Sequence, residues 1–402
     1  MKTWIVCLAL LGFTTFDASA LEEMDKIDEK GTFHADFRWR LEQVDEELNG
    51  KNAAAAPLRT RLNYFTSERS GFSLFVEYDY ISDFGLDNYN EGGGNTADRA
   101  PYPVVADPSG GDLNQAFVQY KNMSGTQLQL GRQRIIFDNA RFIGNVGWRQ
   151  NEQTYDAVSI NHKIETGLDF KYAYIDNVNR IFGDDVAAGD HDQSTHLLNI
   201  SNDLGDSGRL TGYWYDIENK DAPSLSNISL GFRFNSKAKA KSKLAYNFEF
   251  SRQSEGSNNP IPFEANYWRA DVSAAFRTAT IYAGFESLEG SSDRPGQAFR
   301  TPLATLHAFN GWADKFLATP AAGLQDIFIG LKGKHGTWSW NALYHDFSAE
   351  DGNQDFGSEI DFSASRKFAE KYGFLLKAAS FHGDSLIYQD TSKFWLQITT
   401  SF

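Results

Sequence analysis

The sequence has 402 residues and a single cysteine, Cys7. It also lacks any apolar run near the roughly 20 residues that a membrane helix requires, which excludes a helical membrane protein. Basic residues are in deficit, 38 against 53 acidic ones, for a net charge of −15. A nucleic-acid binder would show a basic stripe instead, and no nucleic-acid partner is expected. The opposite of scarcity holds for aromatics: 32 Phe, 17 Tyr and 9 Trp exclude a disordered chain. The mean hydropathy of −0.46 does not exclude a membrane protein, because a membrane barrel alternates lipid-facing and lumen-facing residues and averages out polar.

The first twenty residues read as an address. Lys2 gives a positive start, Trp4 to Phe13 form a short apolar core, and Ala18-Ser19-Ala20 matches a small-residue cleavage site. This is the pattern of a secretory signal peptide over 1–20, cleaved after Ala20. Cys7 leaves with it and does not lie just past the cleavage site, as a lipid-anchored cysteine would. The exported chain then has no disulfide, thiol nucleophile or thiolate metal site. Lys2 and Asp17 leave together, so the net charge is unchanged. A short periplasmic segment is expected over 21–30 and a single barrel domain over 31–402.

From Phe33 onward the period is two. Phe33, Ala35, Phe37, Trp39 and Leu41 alternate with His34, Asp36, Arg38, Arg40 and Glu42. One face is apolar and the other ionic, as a strand between lipid and water requires. The pattern returns in Phe72-Leu74-Val76-Tyr78-Tyr80, in Ile228-Leu230-Phe232-Phe234 and in Leu244-Tyr246-Phe248-Phe250. It predicts an all-β transmembrane antiparallel β-barrel of about 18 strands, of the bacterial outer-membrane type. The expected strands are 31–43, 57–66, 71–82, 112–121, 125–137, 150–162, 166–178, 194–202 and 208–218. They continue as 226–235, 241–252, 264–277, 278–288, 324–334, 336–347, 357–366, 372–381 and 391–402. Alternation is broken in 125–137, 150–162 and 194–202.

The connections sort by parity. After even-numbered strands they are short, as at Asn122 to Gly125 and Gly333 to Gly336; after odd-numbered strands they are longer, notably 83–111, 176–194 and 289–323. A soluble sandwich has no reason to sort its loops this way, whereas an outer-membrane barrel does. The short turns carry Lys237, Lys239, Lys241, Lys332, Lys334, Lys367 and Lys371, and the long loops carry much of the acidic charge. The final segment alternates through Phe394, Leu396 and Ile398 to a terminal Phe402, which resembles the signal read by the outer-membrane assembly machinery. Outer-membrane lipid and lipopolysaccharide are the expected surroundings.

Motifs for catalysis are missing. The eight histidines show no HExxH or comparable spacing, no GxSxG occurs, and Gly92-Gly93-Gly94 precedes no helix that could cradle a phosphate. No enzyme activity and no cofactor are expected. Asp184, Asp185, Asp190 and Asp192 form a weak calcium candidate, although their spacing matches no EF-hand and a solvated acidic loop fits them better.

Arginine on the polar faces stands out: Arg38 and Arg40 on the first strand, Arg59 and Arg61 on the second, Arg132, Arg134, Arg141 and Arg149 around the fifth strand and its loop, and Arg233 and Arg269 on later strands. A charge facing lipid at mid-membrane costs about 2–4 kcal/mol, so these residues must face the lumen or an interface. Two readings stand. A pore lined with arginine attracts anions and holds carboxylates bidentately. Alternatively the arginines are satisfied structurally by acids such as Asp36, Glu42, Glu77, Asp79 and Glu249.

Gly131-Arg132-Gln133-Arg134, then Asp138 through Asn151 with its Arg141…Gly144-Asn145-Val146-Gly147-Trp148-Arg149-Gln150-Asn151, then Gln153-Thr154-Tyr155-Asp156-Ala157-Val158, resemble the alginate export family of outer-membrane proteins. The resemblance implies a monomeric 18-stranded barrel and a passive, electropositive conduit for anionic polysaccharide such as a polyuronate, or for similar carboxylated solutes. Arg132, Arg134, Arg141 and Arg149 are the arginines within the matching motif. Asn145, Gly147 and Trp148 suggest a loop tucked into the barrel, with glycine permitting close backbone approach. The alternatives are an uptake porin for small sugars or organic acids, and a barrel hydrolase or adhesin working through acidic loops.

Overall fold

The computed structural model describes residues 31–46, 50–238, 243–384 and 387–402. The expected signal peptide, the segment 21–30, and Lys239 and Lys241 lie outside the described residues. Eighteen antiparallel strands form one closed sheet. They are β1 (Gly31–Glu46), β2 (Ala53–Thr66), β3 (Phe72–Asn88), β4 (Gly110–Lys121), β5 (Thr126–Gln133), β6 (Thr154–Lys163), β7 (Leu168–Asn179), β8 (Asp190–Asp203) and β9 (Gly208–Ile217). The second half is β10 (Asn227–Ser236), β11 (Leu244–Glu255), β12 (Glu264–Ala275), β13 (Ala279–Leu288), β14 (Leu324–His335), β15 (Trp338–Ser348), β16 (Asp355–Phe368), β17 (Tyr372–Gly383) and β18 (Thr391–Ser401).

Closure comes from β1 against β18, in register from Asp36 opposite Ser401 to Glu46 opposite Thr391. Pairing every strand on both sides leaves no sheet edge, the condition for surviving in lipid. The period-two pattern has the predicted consequence. Phe72, Leu74, Val76, Tyr78 and Tyr80 are all exposed on the outer face of β3, while Glu77 and Asp79 between them and Ile81 just after them are buried inside. The short turns stand at the same end as Phe402, whose backbone pairs with Ala35. The longer connections 89–109, 134–153 and 289–323 are all at the other end.

Two expected strands are shorter than their sequence pattern suggested. β5 stops at Gln133 and β6 starts only at Thr154, because the chain between them leaves the wall and turns into the lumen. β2 instead begins earlier, at Ala53, where Ala53 and Ala55 pack with Val44, Tyr89 and Val105. A bulge at Pro57 follows, placed where a residue without an N–H can be accommodated in a ladder. A second register shift, at Glu77, lets both Asn114 and Gln115 turn inward and donate to the same Glu77 Oε1, each at 2.8 Å.

Candidate functional site

The loop-end half of the lumen is filled by the chain itself. Residues 134–153 enter from β5 and residues 289–323 from β13, and the two meet: Gly144 N donates to Leu303 O at 2.8 Å and Thr305 N to Ala140 O at 2.9 Å. A side chain at Gly144 would collide with Thr305, so the glycine needed for close backbone approach is Gly144. At Gly147, which the sequence suggested for that role, a Cβ would meet only Asn145 of its own loop.

Aromatic anchors dry this interior. Phe142 packs against Tyr213 at 5.2 Å, Tyr267 at 5.4 Å and Phe299 at 5.8 Å. Phe316 packs against Phe347 at 4.6 Å and Tyr388 at 5.0 Å. Gly311, at a φ of +84°, brings the backbone up to β16, where Trp312 N and Ala313 N donate to Glu359 Oε1 at 2.5 and 2.8 Å.

Arginines then clamp the loops to the wall. Arg141 reaches β13, its Nε donating to Glu286 Oε1 at 2.6 Å and its Nη2 to Asn310 Oδ1 at 3.0 Å. Arg149 holds Glu42 at 3.1 Å and Asp314 at 3.3 Å. From the wall, Arg38 donates to Gln150 Oε1 at 2.8 Å and Gly147 O at 3.0 Å. Arg40 donates to Trp148 O at 2.5 Å while its guanidinium lies 3.9 Å over the Trp148 ring, and it faces Asp107 at 3.7 Å. Arg61 pairs with Asp79 at 2.6 Å and with Glu152, which also receives Arg134 at 2.5 Å. Burial alone would raise the Glu152 carboxyl, yet Arg61 and Arg134 hold it well below the usual carboxylate range. Arg59 pairs with Asp36, Arg233 with Glu249 at 3.1 Å, and Arg269 with Glu286 at 3.3 Å and Asp271 at 3.4 Å.

The structure thus brings most of the predicted arginines together inside the barrel, and gives each of these except Arg38 a carboxylate partner. Arg132 is the departure. The register puts it on the outward phase with Leu128 and Leu130, one residue before β5 ends, where it pairs with Asp156 at 2.8 Å. Alternation from those two leucines dictates that placement, and the rim of the membrane tolerates it. The four aspartates of the calcium candidate do not converge. Asp190 accepts from Asn177, and the backbone of Asp192 donates to Asp221. Among the described residues, no three carboxylate or imidazole groups stand close enough to share a metal ion.

Sequence reasoning missed a second cluster on the adjoining strands β17 and β18, next to β1. Lys377 of β17 donates from Nζ to His307 Nε2 at 2.6 Å, and His307 Nδ1 donates to Asp314 Oδ1 at 2.6 Å. Lys393 of β18 reaches the other Asp314 oxygen at 2.9 Å. Lys377 stands 3.8 Å from the Trp312 ring and 4.2 Å from that of Trp148, which stacks on His307. Burial, with Lys377 adding to it, lowers the His307 imidazole to about 3, so the ring is neutral. The available signal was phase: Lys377, Lys393 and Trp395 occupy lumen positions, and an inward tryptophan needs something inside to pack against.

Cavities remain at both ends of this plug. One of about 350 Å³ at the loop end has Arg141, Arg180 and Arg300 in its lining, and a neighbouring one of about 490 Å³ shares Arg180, Leu306 and Leu317 with it. A third, of about 670 Å³, opens at the turn end beside Arg277, Lys332 and Lys334.

Residues 31–257 match the sequence model for alginate export. The chain belongs to the alginate export family. No curated protein matches it significantly. Among solved structures it is similar to Pseudomonas aeruginosa OpdK, crystallised with vanillate, with a TM-score of 0.71 and 10% identity over 92% of this chain and 98% of that one. Acinetobacter baumannii OccAB3 gives a TM-score of 0.71 at 13% identity, covering 94% of this chain and 100% of that one. Pseudomonas aeruginosa OccK8 (OprE) gives 0.70 at 12%, covering 93% and 98%. Family and fold together make this alginate export family member an outer-membrane channel.

Proposed function

We propose that this channel passes small carboxylated solutes down their gradient, without chemistry. The observation that carries the proposal is the sorting of charge inside the lumen. Glu42, Glu152 and Glu286 are consumed in the plug by their arginine clamps. The cavities of about 350 and 670 Å³ each have three cations and no carboxylate in their lining. A protein of net charge −15 therefore offers an anion positive surfaces on both sides of its constriction. On this reading the arginines expected to attract the solute mostly fasten the plug instead. The attraction passes to Arg180, Arg300, Arg277, Lys332 and Lys334.

A lumen half filled by its own loops suits small solutes better than a polymer. That the similar OpdK structure holds vanillate, a small carboxylate, is in keeping with this. The second reading, passage of anionic polysaccharide, is favoured by the family match over 31–257. Planar-bilayer recording across a potassium chloride gradient tests both. The proposal expects a reversal potential on the anion side and current reduction by small carboxylates. Cation selectivity would overturn it, and translocation of a polyuronate oligomer through the unmodified channel would favour the second reading.

A further inference from the structure

We propose that the loop-end cavity of about 350 Å³ is a recognition site for a small monocarboxylate with an apolar body, its carboxylate held by Arg180 and Arg300. The inference rests on the anion-channel reading and adds a ligand class and a place. Three connections build the cavity. Arg180 opens the loop after β7, Arg300 lies in 289–323, and Arg141 lies in 134–153.

The three guanidiniums differ in what they already hold. Arg141 is spent on Glu286, Asn310 and Thr301. Arg300 donates from Nη2 to the Gly296 carbonyl and lies 5.3 Å over the Phe263 ring, with no carboxylate partner among the described residues. The Arg180 side chain has neither a hydrogen bond nor an ion pair among the described residues; only its backbone is engaged, with Gly189 and Gly183. Burial lowers the pKa of both Arg180 and Arg300, and no carboxylate offsets it at either. A guanidinium has five N–H donors in a fixed fork, so two nearly unspent forks at one cavity demand an acceptor that no described residue supplies. Water can fill that demand, but a carboxylate does so with charge as well.

The remaining wall decides what that carboxylate is attached to. Leu225, Ala298, Leu306, Phe316 and Leu317 face the same space. A sugar acid would leave its hydroxyls against these side chains with few partners, whereas an aliphatic or aromatic acid would bury its body there. Arg180, Leu306 and Leu317 also wall the neighbouring cavity of about 490 Å³, so the site adjoins a second space at the loop end.

The test is calorimetric titration of the purified full-length barrel in detergent micelles with benzoate, hexanoate and galacturonate. Folding of each variant is verified by the heat-dependent shift in electrophoretic mobility that folded barrels show. Benzoate and hexanoate should bind, and galacturonate at least about tenfold more weakly. Arg180→Gln and Arg300→Gln should each weaken benzoate by roughly tenfold or more, the scale of one charge-assisted hydrogen-bonded pair. Arg180→Lys, which keeps the charge but loses the fork, should fall between. Folded variants with unchanged benzoate affinity, or galacturonate binding as well as benzoate, would overturn the site. The channel reading is judged separately, by the reversal potential. Anion selectivity with benzoate affinity indifferent to both arginines removes the site alone; a cation-selective current with arginine-dependent benzoate binding keeps the site and removes the permeation reading.

Discussion

The two halves of the lumen use the same residue types to opposite ends. At the loop end Arg40, Glu42 and Glu286 are completely shielded and Arg141 is 2% exposed. Toward the turn end the side chains of Asp36 and Arg209 are 33% and 36% exposed, and Lys332 and Lys334 are exposed on the lumen face of β14. Shielded charges are costly to strand, so these four have fixed partners and behave together as a fastening. Wet charges cost little to leave alone, and Lys332 and Lys334, which have no carboxylate partner among the described residues, are free to act on passing ions. The difference teaches that arginine count along a barrel strand says nothing about permeation until burial is known.

Breaking the fastening should give the largest effect. Glu286 takes Arg141 from the loop and Arg269 from β12, and Tyr267 donates to it at 2.7 Å. Glu286→Gln leaves the buried Arg141 guanidinium without a carboxylate and Arg269 with Asp271 alone, and should cost about 3–5 kcal/mol. Unfolding by urea from lipid vesicles reads that loss, and single-channel conductance should rise as 134–153 loosens. A stability change below about 1 kcal/mol would mean that the shielded half is no more brittle than the wet one.

Next in size is the aromatic anchor. Phe316 is 5% exposed among Phe347, Phe356, Phe381 and Tyr388. Truncation to alanine should cost about 3 kcal/mol and release 289–323 while the Arg141 clamp still holds its own loop. Hydrogen exchange should then speed up in 289–323 well before 134–153; equal acceleration of both would show that the two loops open as one unit.

Acid should loosen the same loop more gently. His307 is a loop residue whose folded pKa is lowered to about 3, below the value near 6.5 of an unfolded chain. Between those values the unfolded chain binds the extra proton, so stability falls as pH drops through that window. Asp314, held well below the usual carboxylate range despite its burial, acts in the same direction at the acid end. Conductance recorded from pH 7 down to pH 4 should therefore rise, and His307→Gln should flatten that rise.

Much of this was legible in the sequence, and the reason is periodicity. A strand of period two that must face lipid on one side announces itself, so β1, β3, β10 and β11 were readable down to the phase of individual residues. The parity of loop lengths was readable for the same reason. What a strand pattern does not carry is where a loop goes, since no period governs it. Hence the strand pattern overextends β5 and β6 into the segment that turns inward, and it neither points to Glu286 nor assigns Glu42 to Arg149, partners 145 and 107 residues away from Arg141 and Arg149. Arg180 and Arg300 escaped notice altogether, because an unpaired arginine in a loop looks in sequence like any solvated one. Only the shared cavity sets them apart.

The smallest predicted effect sharpens the comparison from the wet side. Lys332 lies 5.1 Å from the Tyr282 ring and Lys334 lines the same turn-end cavity, and neither has a carboxylate partner among the described residues. Replacing both with glutamine removes no buried contact, so stability should stay within about 0.5 kcal/mol. The local potential at the mouth should nonetheless fall, moving the reversal potential toward zero by a few millivolts at low salt and hardly at all at molar salt, where the screening length is about 3 Å. A shift that persists in molar salt would place these lysines in direct contact with the permeating ion. In that case the turn-end mouth, and not only the loop-end vestibule, selects the solute.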